Sequence, residues 1–263
     1  MKLVSFPGGF GRLDGDVVVP MGPSLVGYLD GAAVAEGEPK PLDQVRLLAP
    51  VPSPGKVICV GLNYRDHAAE TGAAIPDEPI LFPKWANSVV GPGAPVEVPA
   101  AAGNIDYEAE LAVVIGRRAR EVGAADALSF VAGYACANDV SSRELQFHSS
   151  QWLLGKAIDS FLPLGPFMAT ADEVPDPQKL GIRCLVNGEV RQDSSTDQMI
   201  FGVAELVAFV SRTLTLQPGD VIATGTPPGV GMARQPPVWL RPGDEVTIEI
   251  VGLGALTNPI RSR

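Results

Sequence analysis

Tyr107-Glu108-Ala109-Glu110-Leu111-Ala112-Val113-Val114-Ile115 is the stretch that decides the fold class. Its first half alternates, with Glu108 and Glu110 on one face of a strand and Tyr107, Ala109 and Leu111 on the other. Its second half is apolar at every position, as in a strand covered on both faces. Ala132 to Val140 reads the same way, and the two together predict an interior sheet. Around them the chain is broken by 29 Gly and 25 Pro, far above their combined average usage of about 12%. That composition disfavours long helices, excludes a helical bundle and predicts many short strands joined by tight turns.

Working outward, Lys56 to Gly61 is a continuous apolar run bounded by glycine and reads as a buried strand. The three prolines of Leu48 to Gly55 precede it as an extended linker. They place a boundary near residue 50, with a small N-terminal β domain over 1–50 and the main domain over 51–263. Within the first unit, Leu3 to Phe6, Val17 to Val19 and Ser24 to Asp30 read as extended pieces. Arg183 to Gln192 reads as a hairpin, because Asn187-Gly188 suits a type I′ turn. Pro218-Gly219-Asp220 and Pro242-Gly243-Asp244 each form a turn that feeds an apolar strand. Two helices stand out. Val203, Leu206, Val207, Val210 and Leu214 form one apolar stripe over Val203 to Leu214. The other helix runs from about Tyr64 to Thr71 and is stopped by Gly72. The class is therefore α+β and β-rich.

The chain carries 20 Lys and Arg against 30 Asp and Glu, a formal net charge of −10, which argues against nucleic acid as a partner. With 46% hydrophobic and 19% charged residues it has the makings of a sizeable core. No apolar run approaches the roughly 20 residues that span a bilayer, and Met1 to Pro7 lacks the apolar stretch of a signal peptide. No membrane partner and a cytoplasmic address are expected. Cys59, Cys136 and Cys184 are far apart in apolar segments and suit neither a disulfide set nor a zinc site, so any metal would be held by oxygen.

Glu108 and Glu110 repel each other unless something positive sits between them. A divalent cation answers that repulsion; a solvated strand face is the alternative. Asp139 closes another apolar strand and is either a third ligand of Mg²⁺ or Mn²⁺ or the cap of a helix starting at Ser141 or Ser142. In that helix Arg143 and Gln146 share a face and could orient an anionic substrate, although Arg143 could equally neutralise Asp139 or Glu144. Lys156, between Trp152 and Phe161, either snorkels or points into a site; Trp152 itself reads as core. Of two histidines, His67 is the better proton carrier, with Glu70 three residues on to orient the ring. His148 has no such carboxylate, and either histidine could be an ordinary surface residue. Thr224 to Gly231 is a glycine and proline loop after a strand, where backbone amides and threonine hydroxyls can meet an anion.

These pieces resemble the fumarylacetoacetate hydrolase family, in the family's order, from about Val51 to Ile260. The likeness rests on Gly61 to Glu70, Asp106 to Leu111, Asn138 to Arg143, Gly155-Lys156 with Pro163 to Pro166, and Thr224 to Pro227. Gln146 to Trp152 and Lys84 to Ser88 depart from the family pattern. The resemblance implies a mixed-sheet β-roll, a homodimer, and Mg²⁺ or Mn²⁺ on Glu108, Glu110 and Asp139. It further implies a His67–Glu70 dyad on a mobile lid, with Lys156 aiding catalysis and Arg143, Gln146, Lys156 and Thr226 facing a small 2-oxo acid. The activity it puts first is carbon-carbon hydrolysis of 2,4-dioxo acids of the acylpyruvate or fumarylpyruvate type, releasing pyruvate. Oxaloacetate decarboxylation, or isomerisation or hydration of unsaturated 2-oxo diacids, would use the same metal-enolate chemistry. A noncatalytic oxo-acid binding protein is a further alternative, against which the placed base argues.

Overall fold

The computed structural model describes all 263 residues. Its largest element is an eleven-stranded sheet. The order across it runs from Lys40–Pro41 through Val17–Gly22, Gly9–Asp14 and Lys2–Phe6 to Leu162–Thr170, Val131–Asn138 and Ala109–Ile115. It ends with Val221–Ala223, Val57–Gly61 and Ile80–Lys84, and Val89–Val90 pairs with Leu162–Thr170 off this path. Most neighbours are antiparallel, but Val221–Ala223 runs parallel to Val57–Gly61, so the sheet is mixed. A five-stranded sheet takes Glu189–Ser195, Gly181–Val186, Glu245–Ile250, Gly254–Ser262 and Val96–Val98 in that order. The longest α-helix, Val203–Ser211, has nine residues.

Ala109–Ile115 is buried at every position, and period two divides its side chains between two cores. Ala109, Leu111, Val113 and Ile115 join a cluster of 39 buried residues, whereas Ala112 and Val114 join one of 18. Neighbouring strands obey the same division: Tyr134 and Cys136 belong to the larger cluster, Ala135 and Ala137 to the smaller. Continuing that alternation, Glu108, Glu110 and Asp139 leave the sheet on the face of the smaller cluster. The packing there is thin, because Cys59, Ala137 and Ala223 are among its members, and room remains for polar groups.

The turn chemistry reads through to the structure. Asn187 and Gly188 both have positive φ, 53° and 79°, as a type I′ hairpin demands. Gly219 and Gly243 adopt φ of 83° and 102°, and the aspartates after them accept the Gln217 and Arg241 amides. The first unit is not all extended, however. Ser24 accepts from Gly27 N and caps a helix, Leu25–Leu29, the local capping having overridden β-prone neighbours. The strand Lys2–Phe6 hydrogen-bonds to Leu162–Thr170, which joins the N-terminal strands to the large sheet. The long helix ends at Ser211, whose hydroxyl takes the Val122 amide, and Leu214 stands 44% exposed beyond it. Ser141–Ser142 pairs as a short strand with Ile105–Asp106, so only Arg143–Gln146 is helical and Asp139 caps nothing.

Two one-turn helices, Arg143–Gln146 and Leu153–Lys156, cross closely at Gly155. A Cβ there would stand 2.4 Å from Gln146 N and 2.5 Å from Ser142 O, both backbone atoms that cannot rotate away. Gly155→Ala is expected to cost about 1–3 kcal/mol, the usual overpacking penalty, and to lower Tm by a few °C per kcal/mol. Thermal unfolding beside wild type checks this, and an unchanged Tm would show that the crossing relaxes freely.

Candidate metal centre and acid-base site

Three carboxylates meet at the ends of two adjacent strands. Glu108 and Glu110 are two apart on one chain segment, Ala137 faces Glu110 across the ladder, and the Asp139 amide donates to Glu108 O at 2.9 Å. Glu108, Glu110 and Asp139 each offer an oxygen within 4.8 Å of the others, and all three are buried. Three cations face them. Lys156 Nζ donates to Glu108 Oε2 at 2.7 Å and to Asp139 Oδ2 at 2.8 Å. Arg143 bridges Asp106 Oδ2 and Glu108 Oε1, the latter at 2.6 Å. Lys84 Nζ stands 2.8 Å from Asp139 Oδ1.

The donor set fits a hard divalent ion. Lys84 spends its three N–H groups on the carbonyls of Val140, Lys156 and Phe161, the full complement of an ammonium. Asp139 Oδ1 therefore receives its charge but no aligned hydrogen bond, and its lone pair is free for a cation. Glu110 accepts from Gly225 N at 2.9 Å. Burial, with Asp139 and Glu108 alongside, still pushes its carboxyl well above the ordinary range. Burial would raise Glu108 too, but Lys156 and Arg143 hold it below its ordinary value. Burial would lower Lys156, but Asp139 and Glu108 hold it above its ordinary value. The centre thus contains a carboxyl that a bound cation would ionise, within an all-oxygen set suited to Mg²⁺ or Mn²⁺.

The helix Arg65–Thr71 ends at Gly72 in the left-handed region, φ 66°. On it, His67 Nδ1 lies 3.0 Å from Glu70 Oε2, their side chains 12% and 25% exposed. An ionised carboxylate only accepts, so Nδ1 carries the proton and Nε2 is left as the basic nitrogen. Glu70 Oε1 accepts from Gly229 N at 2.9 Å, and Ser194 donates to Asp66 Oδ2 at 2.5 Å. His67, Glu108, Glu110, Arg143, Gln146, Lys156 and Thr226 all line one cavity of about 280 Å³. The geometry thus brings together every expected residue except Glu70, which touches the cavity through His67, and Asp139, which stands behind Lys156. His148 is exposed and outside it. A larger hollow of about 500 Å³, between Arg46–Pro52 and Val89–Pro95, has Arg46 as its one charged residue and offers no comparable chemistry.

Several residues of the site escape a sequence reading. Lys84 sits two after Phe82 in Ile80–Lys84, and both are buried while Pro83 is exposed; the alternation carries the signal, but only with the sheet's inner face known. Asp106 extends the Glu108 and Glu110 spacing by one step and fixes Arg143 while accepting the Gly231 and Met232 amides. Gln192 donates to Thr226 Oγ1 at 2.8 Å, turning that hydroxyl's proton outward, from a strand with no local hint. Trp152 is not core: it is half-buried, packs edge-on to Phe82 at 5.3 Å and walls the cavity. Leu62, also on the wall, holds φ of 47°, a left-handed conformation that costs a non-glycine residue about 1–2 kcal/mol.

Comparison with known proteins places this geometry. A mitochondrial oxaloacetate tautomerase, fahd2, of Xenopus laevis is 50% identical over 218 residues, 82% of this chain and 68% of its own. Among solved structures, a fumarylacetoacetate hydrolase from Exiguobacterium antarcticum is 38% identical with a TM-score of 0.90, covering all of both chains. A 2-hydroxyhepta-2,4-diene-1,7-dioate isomerase from Mycobacterium marinum is 36% identical with a TM-score of 0.86, covering 100% of this chain and 99% of its own. The expected cytoplasmic address is overturned by the mitochondrial relatives: it rested on the lack of an apolar leader, whereas organellar import signals are amphipathic. The β-rich mixed fold agrees with these neighbours throughout. With residues 56–261 matching the family model of the fumarylacetoacetate hydrolase C-terminal region, the chain belongs to the fumarylacetoacetate hydrolase family of enzymes.

Proposed function

We propose that the protein is a divalent-metal-dependent enzyme that interconverts the keto and enol forms of a 2-oxo acid of the oxaloacetate kind. The observation that carries this reading is one cavity lined by Glu108 and Glu110 of an all-oxygen metal set, by two cations and by a carboxylate-held histidine. Half identity with an oxaloacetate tautomerase supports the substrate. The isomerase among the structural neighbours supports proton transfer over the carbon-carbon hydrolysis that the sequence puts first.

Glu108, Glu110 and Asp139 would hold the ion, which supplies Lewis-acid polarisation of a carbonyl oxygen when bound. The remaining work falls to the chain. Lys156 has one N–H left after Glu108 and Asp139 and lends it to the C2 oxygen as negative charge develops there. Arg143 donates to Gln146 Oε1 at 2.9 Å, which leaves the Gln146 amide N–H groups to orient the C1 carboxylate. His67 takes a proton from C3 through Nε2 while Glu70 keeps the ring in the right tautomer. The C2–C3 double bond forms as the carbonyl pair moves to oxygen, and a proton delivered to that oxygen completes the enol. Nothing is oxidised and no water is consumed. Hydrolysis of an acylpyruvate is a second reading, favoured by the same His67–Glu70 pair, which could equally activate water.

Three outcomes test the proposal. Chelator-treated protein should be inactive on the enol of oxaloacetate, followed by its ultraviolet absorbance, and should recover with Mg²⁺ or Mn²⁺. Glu108→Ala should not recover, and metal-independent turnover would sink the reading. His67→Ala should lower kcat by about 10²–10⁴-fold, the range of a lost general base. Pyruvate released from acetylpyruvate in a parallel assay would shift the assignment to hydrolysis. Because burial and the charges of Asp139 and Glu108 push the Glu110 carboxyl well above its ordinary range, metal binding, which favours the ionised form, should be linked to proton release. Affinity should then fall as pH drops below the raised Glu110 value and level off above it. Calorimetry in buffers of differing ionisation enthalpy reads the proton count directly, and a count of zero would contradict the site.

A further inference from the structure

The cavity that holds the charged groups is also lined by apolar and aromatic side chains, which a small oxo acid such as oxaloacetate does not call for. Beside the charged groups, its lining includes Leu62, Ala73, Phe82, Phe147, Trp152 and Met232, and Lys156 Nζ stands 5.0 Å from the centroid of the Phe82 ring. Trp152 and Phe82 stand edge to face at 5.3 Å, interplanar angle 65°. Gly61 makes room for the indole, since a Cβ there would meet the Trp152 ring at 2.6 Å. No lysine or arginine other than Arg143 and Lys156 lines the cavity, and both are already engaged: Arg143 by Asp106 and Glu108, Lys156 by Glu108 and Asp139.

Charge accounting points the same way. The buried set comprises the carboxylates Asp106, Glu108, Glu110 and Asp139 against the cations Lys84, Arg143 and Lys156, which leaves one negative charge when all are ionised. A divalent ion reverses it to one positive charge, and a substrate with a single carboxylate brings the buried set to neutrality. The cavity volume of about 280 Å³ lies near the lower end of the about 300–1,000 Å³ in which drug-sized ligands bind, enough for a ring-bearing 2-oxo acid.

Resting on the tautomerase reading, we infer that the enzyme also interconverts the keto and enol forms of 2-oxo monocarboxylic acids bearing an aromatic or branched apolar group on C3. The step is the one already balanced: a C3 proton to His67, a C2–C3 double bond formed, a proton gained at the C2 oxygen, with no co-reactant. The metal end holds the oxo acid, and the ring packs against Trp152 and Phe82. Leu62 closes the wall at the edge of the cavity.

The test uses the metal-loaded protein with phenylpyruvate and oxaloacetate as paired substrates. Benzoylformate, a phenyl-bearing 2-oxo acid with no C3 hydrogen, serves as a nonreacting probe followed by calorimetry and by quenching of tryptophan fluorescence. Expected are turnover of phenylpyruvate with kcat/KM within about tenfold of oxaloacetate, and benzoylformate binding that quenches fluorescence in wild type but much less in Trp152→Ala. That variant should lower the phenylpyruvate-to-oxaloacetate ratio of kcat/KM by up to about tenfold, the scale of one aromatic contact. Leu62→Asn supplies an independent variant, because asparagine tolerates the left-handed backbone there, and it should lower the same ratio. Oxaloacetate turnover without phenylpyruvate turnover, absent benzoylformate binding, or an unchanged ratio in both variants would overturn the inference alone. Failure of both substrates would overturn it together with the tautomerase reading.

Discussion

Four carboxylates buried within one site are the constraint on which the rest of this structure turns. Each carries a desolvation cost of several kcal/mol that only fixed positive charge and aligned donors offset. The protein meets it with three buried cations drawn from three places: Lys84 from the edge strand Ile80–Lys84, Arg143 and Lys156 from two one-turn helices. Their tasks differ. Lys84 gives its protons to carbonyls and only its field to Asp139, so an acceptor stays open. Lys156 gives its protons to Glu108 and Asp139, placing an ammonium among the ligand oxygens. Arg143 is immobilised by Asp106, whose other contacts pin the Gly231 and Met232 amides. With Glu110 ionised the charge left over is negative, and a hard cation would favour that ionised form.

How much of this the chain discloses by itself depends on whether the signal is local. Alternation over Tyr107 to Ile115 is local, and so are the Asn187-Gly188 turn and the Gly72 stop; strand, hairpin and helix end were all legible in advance. The carboxylate faces followed from the same period of two. Lys84 and Asp106 obey it as well, yet a lysine in an apolar alternation and an aspartate beside a tyrosine gain meaning only from partners 55 or 37 positions away along the chain. Gln192 is less visible still, since its three contacts are to Ala109, Thr226 and Pro227. The helix Leu25–Leu29 was missed because a single serine cap outweighed its β-prone composition. One-turn helices such as Leu153–Lys156 have no periodicity to read; they exist because Gly155 lets two backbones touch.

The proton-handling half of the site is built separately from the charged half. Its helix, Arg65–Thr71, is tied to the body by Arg65 to the Met199 carbonyl, by Ser194 to Asp66 and by Gly229 to Glu70, none of which is a carboxylate of the centre. Gly229 is confined to its role on two counts: φ of 101° and a virtual Cβ only 2.1 Å from Arg191 O. The base is therefore oriented by a loop whose own geometry admits little else.

That separation explains why a family scaffold can serve different reactions. On the proposed reading the charged groups would fix an oxo acid in one orientation whatever is attached to it, and the histidine would offer a proton acceptor whatever it faces. Discrimination would then fall to the apolar side chains that share the cavity, among them Leu62, Phe82 and Trp152. An apolar wall rejects a poorly fitting neutral group weakly, by about 1–3 kcal/mol per methylene-sized change, whereas unpaired polar groups are rejected far more strongly. On this reading the substrate range would be set by how the group on C3 packs among these side chains and by which polar atoms that packing leaves unpaired.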